Sequence, residues 1–237
     1  DDLHSRAKEG IDEECVNKKR DGGVFLWGDS HAQALSFGLR KLLRDKYPQT
    51  PFYQVASAGC RAHLEADNQS KGEFKLSCDR SNNYALEQIK LLRPEVVVIA
   101  QRDHHDGNDF EKIAEELERS GIKMTLVMGP VPQWEPTLPQ AIVRRHWDGE
   151  DMIDDSGFLY ELQNMDSRLI NKFANSNNLI YVSVMERLCY RNKCLAKLDE
   201  NRLPLVFDYG HLTLEGSNLV ARKVLDEYLK KYLDFSD

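Results

Sequence analysis

The sequence predicts an α/β fold, a three-layer α/β/α sandwich built on a five-stranded parallel sheet, and three observations lead there. The chain has 237 residues, 41% hydrophobic and 30% charged, the make-up of one ordinary globular domain with enough apolar residues for a core. Its apolar runs are short and continuous rather than alternating, as in strands buried on both faces. Each run is followed by a segment with apolar residues at helical spacing. Strictly alternating strands and helices form parallel sheets with right-handed crossovers and helices on both faces.

The first strand is Val24-Phe25-Leu26-Trp27, bounded by glycines. Leu35, Gly38, Leu39 and Leu42 then fall at i, i+3, i+4 and i+7, giving a helix with one face on the sheet while Arg40 and Lys41 face water. A second strand is expected near Phe52 to Val55, a helix near Asn82 to Leu92 stopped by Pro94, and a third strand at Val96 to Ala100. Phe110, Ile113, Ala114 and Leu117 mark the next helix, with Gly121 as its stop before the strand Met124 to Met128. Leu159, Leu162, Leu169 and Phe173 mark another, the strand Leu179 to Val182 follows, and the last helix runs from about Thr213 to Tyr232. Five strands and five helices result.

Two connections are long, Ala58 to Ser81 and Gly129 to Gly157, and each is placed to cover a site at the carboxyl edge of the sheet. The second carries Trp134, Trp147, His146, Arg144 and Arg145, a mixture that suits stacking on a sugar ring and equally suits a packed surface loop.

The net charge of -7 with scattered basic residues argues against a nucleic-acid partner. The longest apolar run, Val96 to Ala100, is far short of the roughly 20 residues that span a bilayer. Residues 1–23 are polar, unlike a secretory signal, and read as a linker from a longer chain that precedes a domain at 24–237. Cys60 and Cys78 flank a polar loop, and Cys189 and Cys194 bracket a tight turn, so both pairs suit disulfides and an oxidising compartment. Free thiols in a cytosolic protein are the alternative, while neither spacing is that of a zinc knuckle. Cys15 is left over, to pair upstream or stay free.

Chemistry is concentrated in two short blocks. In Gly28-Asp29-Ser30-His31 the first strand turns into the first helix, which presents Ser30 at the carboxyl edge over free helical N–H groups able to stabilise an oxyanion. Serine needs a base, and His211 in Phe207-Asp208-Tyr209-Gly210-His211-Leu212 is the candidate. Asp208, three residues earlier, is spaced to fix one imidazole nitrogen and leave the other for Ser30. The bland readings are a helix N-cap for the first block and a surface turn for the second. His104 and His105 beside Asp103 and Asp106 could suggest a metal but read as a solvated loop, so no metal is expected, and His31 is read as setting its turn. No glycine-rich phosphate loop follows the first strand, which removes a nucleotide-binding reading.

Val24 to Ala32, Asp208 to Leu212 and the cysteine pair just before it make the chain similar to the SGNH (GDSL-like) hydrolase superfamily, with its SGNH/flavodoxin-like architecture. It resembles most the SGNH domain joined to the C-terminus of membrane acyltransferase-3 proteins. The resemblance implies a Ser30, Asp208 and His211 triad and a periplasmic or other extracytoplasmic domain tethered to the inner membrane. Its expected activity is O-acylation, usually O-acetylation, of a bacterial cell-surface polysaccharide such as lipopolysaccharide O-antigen. It also implies two partners, an upstream integral membrane acyltransferase domain and a glycan acceptor; no cofactor is expected in this domain, and acetyl-CoA is the ultimate donor through the membrane domain. Oxyanion donors in the superfamily are the serine N–H, a glycine and an asparagine. Here Ser30 and Gly59 match the first two, and Arg102 stands where no asparagine occurs. The rival readings are an esterase or deacetylase of acylated glycans and a non-catalytic glycan-binding domain.

Overall fold

Continuous apolar runs become the buried centre of the sheet. The structure, a computed structural model, describes residues 20–65, 71–154, 159–199 and 202–233. Cys15 and most of the expected linker lie outside them. Strands β1 (Val24–Gly28), β2 (Phe52–Ala56), β3 (Val96–Ala100), β4 (Met124–Met128) and β6 (Leu179–Val182) form a five-stranded sheet in the order β2-β1-β3-β4-β6, parallel throughout. The order reverses between β1 and β3, and a crevice opens at the carboxyl ends of the strands at such a switch.

Alternate residues of each strand feed separate cores, since successive side chains leave opposite faces of a sheet. Val24, Leu26, Val98 and Leu126 pack on one side with α1 (Ser30–Lys46) and the C-terminal helix. Phe25, Trp27, Val97, Ile99 and Val127 pack on the other with α2 (Gly72–Leu92), α3 (Phe110–Arg119) and α5 (Leu159–Phe173). Each such side chain contributes about 1.5–3 kcal/mol on burial. The C-terminal helix comprises α7 (Leu214–Val220), a widened π turn at Ala221–Leu225 and α8 (Asp226–Leu233).

The crossing of α1 and α7 sets the distance between the two chemical blocks. Gly38 of α1 lies so close to α7 that a Cβ there would stand 2.0 Å from the Ser217 carbonyl oxygen. The Gly38 N–H donates to Ser217 Oγ, which in turn donates to the Leu35 carbonyl, each at 2.8 Å. The helix that begins at Ser30 is thereby fixed to the helix that follows His211.

Helix α2 begins at Gly72 rather than near Asn82, which shortens the first long connection. Its buried positions include Cys78, Ser81 and Asn82, and these polar or small residues leave no apolar stripe to read in the first half of the helix. The second connection holds a short helix α4 (Leu138–Ala141), a π turn at Ile142–His146 and strand β5 (Met152–Ile153). After the short helix α6 (Met185–Leu188), β7 (Cys189–Tyr190) and β8 (Lys193–Leu195) form a hairpin, giving with β5 an antiparallel sheet ordered β5-β8-β7. Strands of two or three residues are too short to carry a periodic signal. Disulfides join Cys60 to Cys78 and Cys189 to Cys194. No described helix is long and apolar enough to cross a membrane.

Candidate active site

β1 ends at Gly28, where a Cβ would stand 1.8 Å from the Ala100 carbonyl oxygen, so the turn into α1 passes hard against the end of β3. Asp29 caps the helix, its Oδ1 accepting from the His31 N–H at 2.8 Å, and its Oδ2 accepts from the Arg102 N–H at 2.8 Å. One carboxylate therefore ties the serine turn to the loop after β3. Burial pushes this carboxyl up from its ordinary range, against the lowering effect of the two backbone N–H groups. Ser30 occupies the first helical position, where an N–H has no intrahelical acceptor.

Leading into α7, the 207–211 segment closes on itself through the Phe207 N–H, which donates to the His211 carbonyl at 2.9 Å. Asp208 Oδ1 accepts from the N–H groups of Gly210 (2.9 Å) and His211 (2.8 Å), while Oδ2 lies 2.7 Å from His211 Nδ1. Burial would raise the Asp208 carboxyl, but the Gly210 and His211 N–H groups and the imidazole outweigh it and hold the group below its ordinary range. An ionised carboxylate only accepts, so Nδ1 donates to it, which leaves Nε2 for the Ser30 hydroxyl. Nε2 stands 2.7 Å from Ser30 Oγ, completing a hydrogen-bonded series from carboxylate to hydroxyl.

Around His211 lie groups that sequence reasoning did not assign. His31 does more than set a turn: buried, it lies 4.5 Å from the His211 ring, centroid to centroid, with Nε2 3.3 Å from the Tyr209 hydroxyl. Burial and the neighbouring His211 lower its pKa to about 3, so it stays neutral. The Tyr209 ring meets His211 edge-on at 5.2 Å and carries the Arg102 guanidinium at 4.5 Å on its face. The Phe207 ring stacks on His211 at 5.6 Å. Phe207, Tyr209 and His211 alternate in the chain, and that spacing was the available signal.

Arg102, whose side chain is 51% exposed, has Nε 3.5 Å from Asp103 Oδ2 and its carbonyl bonded to Gln133 Nε2. Ion pairing and proximity to the site thus coexist. Gly59 is exposed at φ 72° in the turn after β2. Trp134 corrects the expectation of a substrate-stacking ring: it is 1% exposed and part of the core, in one cluster with Val131, Leu138 and Ala141. The segment serves the site through its backbone, since the Trp134 and Leu138 N–H groups donate to the carbonyls of Tyr209 (2.8 Å) and Asp208 (3.1 Å). Trp147 is 48% exposed, with the Arg202 guanidinium 4.8 Å over its ring. His104 is exposed beside Asp103, whereas His105 is fully buried and donates from Nε2 to the Met128 carbonyl at 3.1 Å. Among the described residues no cluster of three or more potential metal ligands occurs.

A carboxylate, imidazole and hydroxyl in series at the switch point of a parallel α/β/α sandwich define a class, the domains with a serine-centred site at the end of their first strand. The chain belongs to the family of SGNH domains fused to AT3 domains, whose description matches residues 2–226. No curated protein matches the sequence. Among solved structures the chain is similar to the periplasmic domain of a lipopolysaccharide acetyltransferase from Salmonella ser. Paratyphi A, at 19% identity and TM-score 0.72 with 97% of each chain covered. It is also similar to a Streptococcus pneumonia protein provisionally described as a platelet activating factor, at 9% identity and TM-score 0.47, covering 96% of this chain and 91% of that one. The Salmonella likeness shows the fold.

Proposed function

We propose that this domain is an O-acyltransferase, in the first instance an O-acetyltransferase, that modifies a hydroxyl of a bacterial cell-surface polysaccharide through a Ser30 acyl-enzyme. The observation that carries the reading is the series Asp208, His211 and Ser30, with 2.7 Å at each of its two side-chain contacts. Membership of a family fused to AT3 domains supports a membrane acyltransferase domain as partner, and the likeness to the periplasmic domain of a Salmonella lipopolysaccharide acetyltransferase supports a periplasmic setting and a lipopolysaccharide acceptor. In this reading acetyl-CoA is the ultimate donor to the membrane domain, and no step in this domain runs through it.

Ser30 Oγ gives its proton to His211 Nε2 and attacks the acyl carbonyl. Asp208 keeps the imidazole in the right tautomer and offsets the imidazolium charge. The oxyanion is met by the Ser30 N–H, with the Gly59 N–H and the Arg102 guanidinium as further donors. The tetrahedral adduct collapses, the bond to the leaving group breaks, and His211 returns the proton to it. A sugar hydroxyl then gives its proton to His211 and attacks the acyl-serine; the bond to Ser30 Oγ breaks, His211 passes the proton to Oγ, and the sugar ester leaves with Ser30 restored.

Water in the sugar's place gives hydrolysis, so the test follows both products. The purified chain is incubated with p-nitrophenyl acetate and fragments of surface polysaccharide, and esters on the glycan and free acetate are measured together. Acetylated glycan, absent with Ser30→Ala, is the expected result. Acetate alone assigns an esterase, and no turnover in the presence of the membrane domain assigns a binding module.

A further inference from the structure

We infer that Phe207 forms the acceptor subsite, the platform against which a pyranose ring packs while the hydroxyl to be acylated is brought to His211. The inference rests on the acyl-transfer reading and names where its second substrate binds.

Three rings contact His211, and they are not equivalent. His31 is buried, and the face of Tyr209 is occupied by the Arg102 guanidinium. Phe207 is 59% exposed, although burial is the favourable state for a ring of its size. Its plane is within 13° of the imidazole plane at a centroid separation of 5.6 Å. Rings in direct face contact would be about 3.5–4.0 Å apart, so these two are offset and part of the Phe207 ring overhangs the edge of the imidazole. The two are held in that relation by the Phe207 N–H to His211 carbonyl bond and by the Trp134 and Leu138 donors beneath the loop.

A pyranose suits such a surface. Its axial C–H face is apolar and packs on an aromatic ring, while its hydroxyls project from the rim and remain free to hydrogen-bond. A sugar packed on the overhanging part of Phe207 places rim hydroxyls beside the imidazole edge, where proton transfer requires about 2.6–3.2 Å between heavy atoms. Of the tryptophans of the second long connection, Trp134 is in the core, and Trp147, though 48% exposed, has the Arg202 guanidinium 4.8 Å over its ring.

The test uses the 237-residue chain with p-nitrophenyl acetate as donor and the methyl pyranosides of glucose, galactose, mannose and rhamnose as acceptors. Release of p-nitrophenol gives total acyl turnover, mass spectrometry gives sugar ester, and their ratio is the readout. Phe207→Leu keeps apolar volume against His211 but removes the flat face, and Phe207→Tyr keeps both. The expected result is a ratio at least tenfold lower for Phe207→Leu, through a raised KM for the sugar, with Phe207→Tyr within threefold of the parent. An unchanged ratio for Phe207→Leu overturns the inference, as does an equal loss in Phe207→Tyr. Release of p-nitrophenol by the parent chain with no ester on any sugar also overturns it and leaves the Ser30 chemistry standing. Absence of p-nitrophenol release, with the membrane domain supplied as well, removes the acyl-transfer reading itself and this inference with it.

Discussion

Replacing Asp208 with asparagine separates the two tasks of its carboxylate. Oδ1 of the asparagine still accepts from the Gly210 and His211 N–H groups, so the loop keeps its shape. The amide nitrogen replaces Oδ2, 2.7 Å from His211 Nδ1, and as a donor it forces Nδ1 to accept. The ring proton then sits on Nε2, facing Ser30 Oγ, and the base is lost. In other serine triads the wrong tautomer lowers kcat by about 10⁴, equivalent to about 5.4 kcal/mol of barrier. Stability falls much less, by about 1–2 kcal/mol, because neutral hydrogen bonds replace charge-assisted ones at a partly exposed group. Steady-state hydrolysis of p-nitrophenyl acetate with a thermal melt reads both quantities. A variant that keeps more than a tenth of the parental kcat, or that unfolds, refutes the orienting role. The carboxyl is held below its ordinary range, so its contribution is complete above the unfolded value of about 3.9 and is lost only as pH falls through the lower folded value.

Gly38→Ala inserts a Cβ 2.0 Å from the Ser217 carbonyl, and it should lower the melting temperature by about 5–10 °C, an overpacking cost of about 2–3 kcal/mol, and reduce kcat by shifting Ser30 relative to His211. His31 and His105 have folded pKa values lowered to about 3 and about 4 by burial, so each takes up a proton mainly on unfolding. The unfolding free energy from urea titrations should therefore fall as pH drops from about 6.5 to 4, by up to about 1.4 kcal/mol per pH unit per histidine, and His105→Leu should flatten that slope. Trp134→Ala should cost about 3–5 kcal/mol in denaturant titrations and Trp147→Ala about 1 kcal/mol or less, the reverse of what a shared substrate role would give. Non-reducing peptide mapping should recover Cys60 linked to Cys78 and Cys189 linked to Cys194.

What could be read from the chain follows from how each element is buried. Val24–Gly28, Val96–Ala100 and Met124–Met128 are buried along their whole length, and such strands announce themselves as apolar runs. The first half of α2 buries Cys78, Ser81 and Asn82, and Asn82 is there to accept from the Trp27 indole, so polar satisfaction concealed the helix. Ser30, Asp208 and His211 were legible because two short blocks at opposite ends of the chain carry them. The partners that position them were not: Asp29 reaches Arg102 across 73 residues and the Trp134 N–H reaches Tyr209, contacts that only the folded sheet edge creates. Trp134 misled for the complementary reason, since an aromatic in a long connection reads as exposed until the apolar residues around it close over it.

Acylation of Ser30 with His211 as its base is read most directly on the acyl-enzyme itself. The chain is mixed with p-nitrophenyl acetate, quenched in acid within the first turnovers and digested, and the peptide containing Ser30 is sequenced by mass spectrometry. One acetyl group on Ser30 is expected in the parent chain and none when His211 is replaced by alanine. Acetyl groups on lysines alone, or p-nitrophenol release by Ser30→Ala at the parental rate, would contradict it.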